Sequence, residues 1–96
     1  MITTKQRAFL RSIAGTTEAL YQIGKNGLTE NLIKTLSDAL EARELIKINV
    51  LETCPESPKQ IIASLCESLG CEAVQVIGRK VCVYRPSTEQ PKIKLP

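Results

Sequence analysis

The segment from Leu45 to Leu51 narrows the possible folds of this chain more than any other feature. Its apolar residues are largely β-branched and alternate, with Ile46, Ile48 and Val50 on one face, which is typical of a β-strand. Before and after it, apolar residues recur instead at the spacing of a helix. Because strands that are separated by helices tend to pair in parallel, the segment predicts an α/β sheet with at least one parallel pair.

The same alternation of helix and strand patterns extends along the whole chain. Capping signals and apolar spacing predict three helices: one between Thr3 and Gly15, one from Thr29 to about Arg43, and one between Ser57 and Gly70. Strands are predicted at Ala19–Ile23, Leu45–Leu51, Ala73–Ile77 and Val81–Tyr84. A short Gly78-Arg79-Lys80 connection predicts a tight antiparallel hairpin, because glycine readily supplies a positive φ. The predicted fold class is therefore α/β, a single domain with a four-stranded mixed β-sheet and three helices.

The length of 96 residues is enough for one domain with one modest core. Residues 1–85 are predicted to form this domain, and residues 86–96 an extended, Pro-containing C-terminal tail. No apolar run approaches the roughly 20 residues that cross a bilayer, and the first residues lack the apolar stretch of a signal peptide. We therefore expect a soluble, cytoplasmic protein with no membrane partner.

The usual patterns of catalytic and metal sites are missing from the sequence. It contains no histidine, which is the commonest general base and a usual zinc ligand, and its four cysteines form no C-x-x-C pair. The cysteines are predicted to be reduced and to pack as small apolar residues. The carboxylates of Asp38, Glu41 and Glu44 are predicted to form a solvated acidic face. We predict that the protein is not an enzyme and that it uses no metal, cofactor or small-molecule substrate.

Aromatic residues are too few to build a platform on which bases could stack. Phe9 is predicted to lie in the core under the first helix, and Tyr84 at the edge of the core. A nucleic acid would therefore be held mainly through phosphate contacts and shape, with modest sequence preference.

The net charge of +3 is small, but it is unevenly distributed. Residues 1–27 carry a balance of +3, residues 28–78 a balance of −4, and residues 79–96 a balance of +4. A fold that brings the two ends of the sequence together would create a basic face suited to a polyanion. The alternative is basic side chains scattered over all sides of the domain, and charge alone does not separate these two interpretations.

The Gly24-Lys25-Asn26-Gly27 segment, between a predicted strand and a predicted helix, is the sharpest local feature. Two glycines three residues apart let a backbone approach a polyanion closely, and the free N–H groups at the start of a helix favour phosphate. Lys25 would neutralise phosphate and Asn26 would exchange a hydrogen bond with it. The pattern G-x-x-G is also typical of a simple strand-to-helix turn, and the spacing by itself favours that reading.

Several separated segments resemble the CRM-domain family in its bacterial, stand-alone, YhbY-like form. The matching segments are Thr4-Lys5-Gln6-Arg7 with Leu10-Arg11, Gln22 to Gly27, Arg43 to Lys47, and Val74 to Gly78. The resemblance spans roughly residues 2–85. It implies the fold of the C-terminal domain of translation initiation factor three, RNA binding, and association with precursors of the large ribosomal subunit during ribosome assembly. It also implies that the G-x-x-G loop contacts RNA beside a basic surface on the first helix.

The resulting hypothesis is electrostatic docking on structured RNA, with ribosomal RNA in large-subunit precursors as the partner. The candidate RNA-binding residues are Gly24, Lys25, Asn26, Gly27, Lys5, Arg7, Arg11, Lys34, Arg79 and Lys80. Three alternatives stay open. The acidic residues between positions 30 and 72 could dock on a basic ribosomal protein, the domain could bind duplex DNA, or it could be an enzyme that acts on RNA.

Overall fold

The computed structural model describes residues 2–89 and 91–96. Its elements, in chain order, are α1 (Thr4–Ala14), β1 (Ala19–Ile23), α2 (Glu30–Arg43), β2 (Leu45–Val50), α3 (Pro58–Leu69), β3 (Glu72–Ile77) and β4 (Lys80–Tyr84). The predicted order of helices and strands is confirmed. β1 has the predicted bounds, and each of the other three strands differs by one residue at one end. None of the helices in the described ranges is long and apolar enough to cross a membrane.

The four strands form one sheet in the order β1-β2-β4-β3. β1 and β2 pair in parallel, whereas β4 pairs antiparallel with both β2 and β3. The mixed sheet with three helices is therefore confirmed. Gly78 has a φ of 58°, as the predicted hairpin between β3 and β4 requires.

Helices cover both sides of the sheet. Because successive side chains of a strand point to opposite faces, β2 and β4 contribute to two separate cores. The larger core lies under α2 and α3 and includes Leu36, Leu40, Ile46, Ile48, Val50, Ile61, Leu65, Val81 and Val83. The smaller core lies under α1 and consists of Leu10, Ala14, Leu45, Val74, Cys82 and Tyr84. The side of the sheet that carries α1 is called the α1 side below, and the other the α2/α3 side.

The helix ends form as the sequence predicts. The Thr3 hydroxyl accepts the Gln6 amide while the Gln6 side chain accepts the Thr3 amide, and the same reciprocal pair forms between Ser57 and Gln60. Gly70 ends α3 with a φ of 64°, a left-handed conformation that costs glycine little.

The tail folds back onto the domain. Ile93 and Leu95 pack against the core under α1, and the Gln6 side-chain amide donates to the Pro96 carbonyl oxygen at 3.2 Å. Among its described residues the tail contains no helix or strand. Side chains and not a ladder of backbone hydrogen bonds therefore hold it in place.

Glu44 is the main anchor of the tail. Its carboxylate accepts the backbone amides of Ser87, Lys92 and Ile93, and its side chain is fully buried. Burial by itself raises the pKa of Glu44, but these three amides and the Lys92 charge outweigh it and lower the pKa below the ordinary value. The Glu41 pKa is lowered by hydrogen bonds from the Ser87 and Thr88 side chains. The prediction of a solvated acidic face is therefore wrong for Glu44, because the tail covers it.

The aromatic and cysteine predictions have mixed outcomes. Phe9 is 38% exposed, so its predicted place in the core is wrong; Leu10, the next residue, takes that place. Tyr84 is buried, deeper than the predicted core edge. Burial raises the pKa of the Cys71 thiol to about 12 and that of Cys82 to about 11. Both thiols therefore stay protonated near neutral pH and pack as small apolar groups.

Candidate functional site

The Gly24–Gly27 segment, called the GKNG loop below, forms a tight turn at the end of β1. The Gly27 amide donates to the Gly24 carbonyl oxygen at 3.0 Å, which closes the turn. Lys25 and Asn26 lie at its exposed tip. The two polar side chains of the loop are therefore exposed to solvent, and their contact with RNA stays a prediction.

The two glycines of the loop have different structural roles. Gly27 has a φ of 62°, a left-handed conformation that strains any residue with a Cβ. Gly24 has no such φ, and a Cβ built there would make ordinary contacts with Leu51 at 3.6 Å and Thr53 at 3.8 Å. Only the second glycine is required by the backbone of the turn.

The start of α2 lies close to the loop but does not follow it directly. Leu28 and Thr29 separate Gly27 from the first helical residue, Glu30, so the helix begins where the sequence predicts it. Thr29 is the predicted N-cap, and its hydroxyl accepts the Leu32 amide at 3.1 Å. In the described part of the chain the amides of Glu30 and Asn31 have no hydrogen-bond acceptor, and these free donors favour an anion.

Two carboxylates near the loop partly offset its positive charge. Glu30 occupies the first turn of α2, and Oε1 of Glu56 lies 3.7 Å from the position that a Cβ on Gly27 would take. Lys25 therefore has two carboxylates close to the loop on which it lies. The loop can contact a phosphate through Lys25, but it is not by itself a strongly basic site.

The β3–β4 hairpin lies at the same end of the sheet as the GKNG loop. The Arg79 guanidinium donates to the carbonyl oxygens of Val50 and Leu51, at 2.7 Å each, and Leu51 also lies next to Gly24. Arg79 therefore ties the hairpin to the end of β2. Lys80 is exposed beside it. Of the two predicted hairpin residues, the structure leaves Lys80 the more available to a ligand.

The arginines of α1 lie towards the opposite end of the sheet. The Nε atoms of Arg7 and Arg11 donate to the carbonyl oxygens of Ala73 and Val74, at 3.0 and 3.1 Å, near the start of β3. The hairpin follows the end of β3, and a strand of this length extends about 20 Å. These arginines fasten α1 to the sheet edge and keep further donors for a ligand, but they are not next to the GKNG loop.

The two remaining predicted lysines are exposed on different helices. Lys5 lies in the first turn of α1, on the same helix as the two arginines. Lys34 lies about one turn into α2 and therefore close to the GKNG loop. The ten predicted residues thus form two groups, one at the loop end of the sheet and one along α1.

The fold brings the two basic ends of the sequence to one side of the sheet. The α1 side carries six basic residues, Lys5, Arg7, Arg11, Lys47, Lys80 and Lys94, against the acidic Glu18 and Glu72. On the α2/α3 side, leaving out the buried Glu44, seven acidic residues stand against five basic ones. The acidic residues are Glu30, Asp38, Glu41, Glu52, Glu56, Glu67 and Glu89, and the basic ones are Lys34, Arg43, Lys59, Arg85 and Lys92. The two sides of the domain therefore differ in the sign of their charge.

The predicted site residues omit Lys47, which the structure places on the α1 side. It is half-buried, lies opposite Cys82 in the β2–β4 register, and alternates with the core residues Ile46 and Ile48. A lysine inside an otherwise apolar strand was the sequence signal for it, since such a residue must face away from the main core.

Comparisons with known proteins agree with the fold. Residues 2–85 match the CRS1 / YhbY (CRM) domain. The chain is 42% identical over 96 residues to Probable RNA-binding protein YqeI of Bacillus subtilis, covering 100% of both chains. It is 37% identical over 95 residues to an RNA-binding protein of Haemophilus influenzae, covering 99% of this chain and 95% of that one.

The solution structure of a hypothetical protein from Staphylococcus aureus shares the fold, with a TM-score of 0.83, 45% identity, and full coverage of both chains. The family match covers most of the sequence, and the relatives align over nearly their whole length. The chain therefore belongs to the CRS1 / YhbY (CRM) domain family.

Proposed function

We propose that this protein binds structured RNA through the α1 side of its sheet and the GKNG loop, without catalysing a reaction. The separation of charge between the two sides of the sheet carries this proposal. A polyanion attracted to the α1 side meets six basic residues there, while the excess of carboxylates on the α2/α3 side repels it. The names of the two bacterial relatives, both RNA-binding proteins, support the same ligand.

The GKNG loop adds one well-defined phosphate contact to this surface. Lys25 is exposed at the tip, and the free amides of Glu30 and Asn31 lie at the start of α2. The Glu56 carboxylate lies next to Gly27 and repels phosphate, so it weakens the attraction at the loop. The loop therefore positions one part of the RNA backbone, and the lysines of the α1 side supply most of the attraction.

Salt dependence tests the electrostatic mechanism. If about five phosphates are neutralised, the slope of log affinity against log salt concentration is on the order of −4. The measurement is the binding of a ribosomal RNA fragment, followed by fluorescence anisotropy at several salt concentrations. A slope near zero would contradict the mechanism.

Charge variants test which side binds. Lys5→Ala and Lys25→Ala each remove an exposed cation and are expected to weaken binding about fivefold, the equivalent of roughly 1 kcal/mol. The control is Glu67→Gln on α3, which raises the net charge by one on the α2/α3 side and is expected to leave affinity unchanged. If Glu67→Gln strengthens binding as much as the lysine variants weaken it, overall charge and not the α1 side governs binding.

We further propose ribosomal RNA within large-subunit precursors as the cellular partner, with a role in ribosome assembly in the cytoplasm. The family resemblance of the sequence motifs supports this partner. Sequencing RNA crosslinked to the protein in cells tests it, with large-subunit ribosomal RNA expected as the main product. Enrichment of messenger RNA or small-subunit RNA instead would contradict it.

The acidic α2/α3 side supports a second candidate function, docking on a basic ribosomal protein. Apart from Glu30 and Glu56, which lie next to the GKNG loop, its acidic residues form no part of the proposed RNA surface. Pull-downs from lysate before and after nuclease treatment separate the two functions. Ribosomal proteins that stay bound after nuclease treatment favour docking, whereas their loss favours RNA binding alone.

The DNA-binding alternative is tested by adding duplex DNA as a competitor in the fluorescence anisotropy assay with ribosomal RNA.

A further inference from the structure

A groove of about 460 Å³ opens on the domain between the end of α1, the start of β1 and the tail. It lies at the opposite end of β1 from the GKNG loop, roughly 17 Å along the strand. Its walls include Ile13, Leu20, Leu45, Arg43, Lys47 and Lys92. The groove is therefore distinct from the loop, although Lys47 also belongs to the basic α1 side, and the Lys92 ammonium donates to the Ala42 carbonyl oxygen at its rim.

The floor and one wall of the groove are apolar. Leu45 is almost fully buried beneath it, and Ile13 is half-buried at the end of α1. Leu20 on β1 is 53% exposed, which leaves much of a large aliphatic side chain uncovered. A single exposed leucine on a convex surface is ordinary, but here it lines a concave site large enough for a small ligand.

Three cations surround these apolar side chains. Arg43 is exposed at the end of α2, Lys92 is exposed in the tail, and Lys47 is half-buried on β2. Glu18 is the one acidic residue in the lining. An apolar floor with a positive rim fits a ligand that combines a flat apolar part with negative charge, and a nucleotide has this composition.

We propose that this groove receives one unpaired nucleotide of the bound RNA, with its base against Leu20 and its phosphate between Arg43, Lys47 and Lys92. The inference rests on the proposed RNA binding and adds to it a preference for RNA with an unpaired nucleotide. Bases inside a duplex are stacked and present only their edges, whereas a bulged base can be splayed out into a pocket. The groove thus selects a bulge or loop next to a helix whose backbone lies on the α1 side.

Two RNA hairpins test the proposal, identical except that one carries a single bulged uridine. Their dissociation constants are measured by fluorescence anisotropy at one salt concentration. We expect the intact protein to bind the bulged hairpin about tenfold more tightly, because one base is removed from water against Leu20 and one phosphate gains charged donors. The variants Leu20→Asn and Lys47→Ala are expected to abolish this preference, and Leu20→Asn is expected to leave the affinity for the fully paired hairpin unchanged.

Two further variants serve as controls. Ile77→Asn changes a residue that is even more exposed than Leu20, at 64%, but lies at the hairpin end of the sheet, and it should retain the bulge preference. Lys25→Ala should weaken binding to both hairpins equally. If Leu20→Asn weakens both hairpins alike, or if the intact protein binds both with equal affinity, the inference is overturned while RNA binding stands. If the protein binds neither hairpin, the proposed function itself fails.

Crosslinking locates the base directly. A 4-thiouridine at the bulge is irradiated in the complex, and the crosslinked peptide is identified by mass spectrometry. We expect the crosslink in the peptide that contains Leu20 and Tyr21 or in the one that contains Lys47. Crosslinks confined to the GKNG loop would overturn the assignment of the groove.

Discussion

Glu44 offers the sharpest test of how this fold is held together. It ends α2 with a φ of 67°, its side chain is fully buried, and its carboxylate accepts three backbone amides of the tail. These amides belong to Ser87, Lys92 and Ile93, with donor–acceptor distances of 3.0, 2.5 and 2.8 Å. The substitution Glu44→Ala removes all three acceptor contacts at once.

The expected cost follows from these contacts. A hydrogen bond to a charged group contributes about 1.5–3 kcal/mol, and three intact bonds would set an upper limit near 4.5–9 kcal/mol. The tail can lift away and expose its amides to water, so the observed loss should be smaller. We expect the free energy of unfolding to decrease by about 3 kcal/mol. This value is the lower limit of the usual cost of removing one partner from a buried charged contact, about 3 kcal/mol. For a domain of this size the melting temperature should fall by about 12–24 °C.

Urea unfolding of three variants measures this effect. Glu44→Gly loses the same contacts but accepts a positive φ freely, so it should be about 1 kcal/mol more stable than Glu44→Ala. Asp38→Ala, an exposed position on the same helix, is the matched control and should change stability by less than about 0.5 kcal/mol. Hydrogen exchange should show the tail amides losing protection in both Glu44 variants.

Two results would refute this reasoning. If Glu44→Ala and Asp38→Ala are equally stable, the carboxylate does not anchor the tail. If Glu44→Ala is destabilised while its tail amides keep full protection, the loss comes from another source, such as the end of α2.

Three shorter predictions concern acid, the GKNG loop and the thiols. The pKa of Glu44 in the folded protein lies below its ordinary value of 4.5, so the stabilising effect of its carboxylate is complete above pH 4.5 and is lost as the pH falls through the lower folded value. In urea unfolding at decreasing pH, the free energy of unfolding should therefore fall more for the intact protein than for Glu44→Ala. Gly27→Ala should cost about 1–2 kcal/mol in urea unfolding because of its positive φ, while Gly24→Ala should cost less than about 0.5 kcal/mol; equal costs would contradict the turn geometry. Cys71 and Cys82, with pKa values of about 12 and 11, should react with iodoacetamide at pH 8 far more slowly in the folded protein than in urea, and equal rates would contradict their burial.

Local signals in the sequence were enough to predict the elements of the fold. The capping boxes at Thr3 and Ser57, the alternation in β2 and the glycine at position 78 each depend on residues within a few positions of one another. Such short-range preferences are visible in a linear sequence, and they also fixed the mixed sheet once the order of elements was known.

Most of what the sequence did not reveal concerns contacts between distant parts of the chain. Glu44 was predicted to be solvated because the tail amides that bind its carboxylate come more than 40 residues later in the sequence. Arg7, Arg11 and Arg79 read as free cations, but each donates to a backbone carbonyl of a strand that is remote in sequence. A pattern of charges does not reveal which guanidinium will find such an acceptor when the chain folds.

The contact between Gln6 and the Pro96 carbonyl oxygen places residue 96 close to the start of α1. A few added glycines could join residue 96 to residue 2, and the chain could then be opened at the exposed turn around Gly78 without disturbing either core. A dye attached after residue 96 would sit beside α1, close enough to report the arrival of a nucleic acid on that surface. For the same reason, a bulky affinity tag fused at either end would crowd the surface that a binding assay is meant to probe.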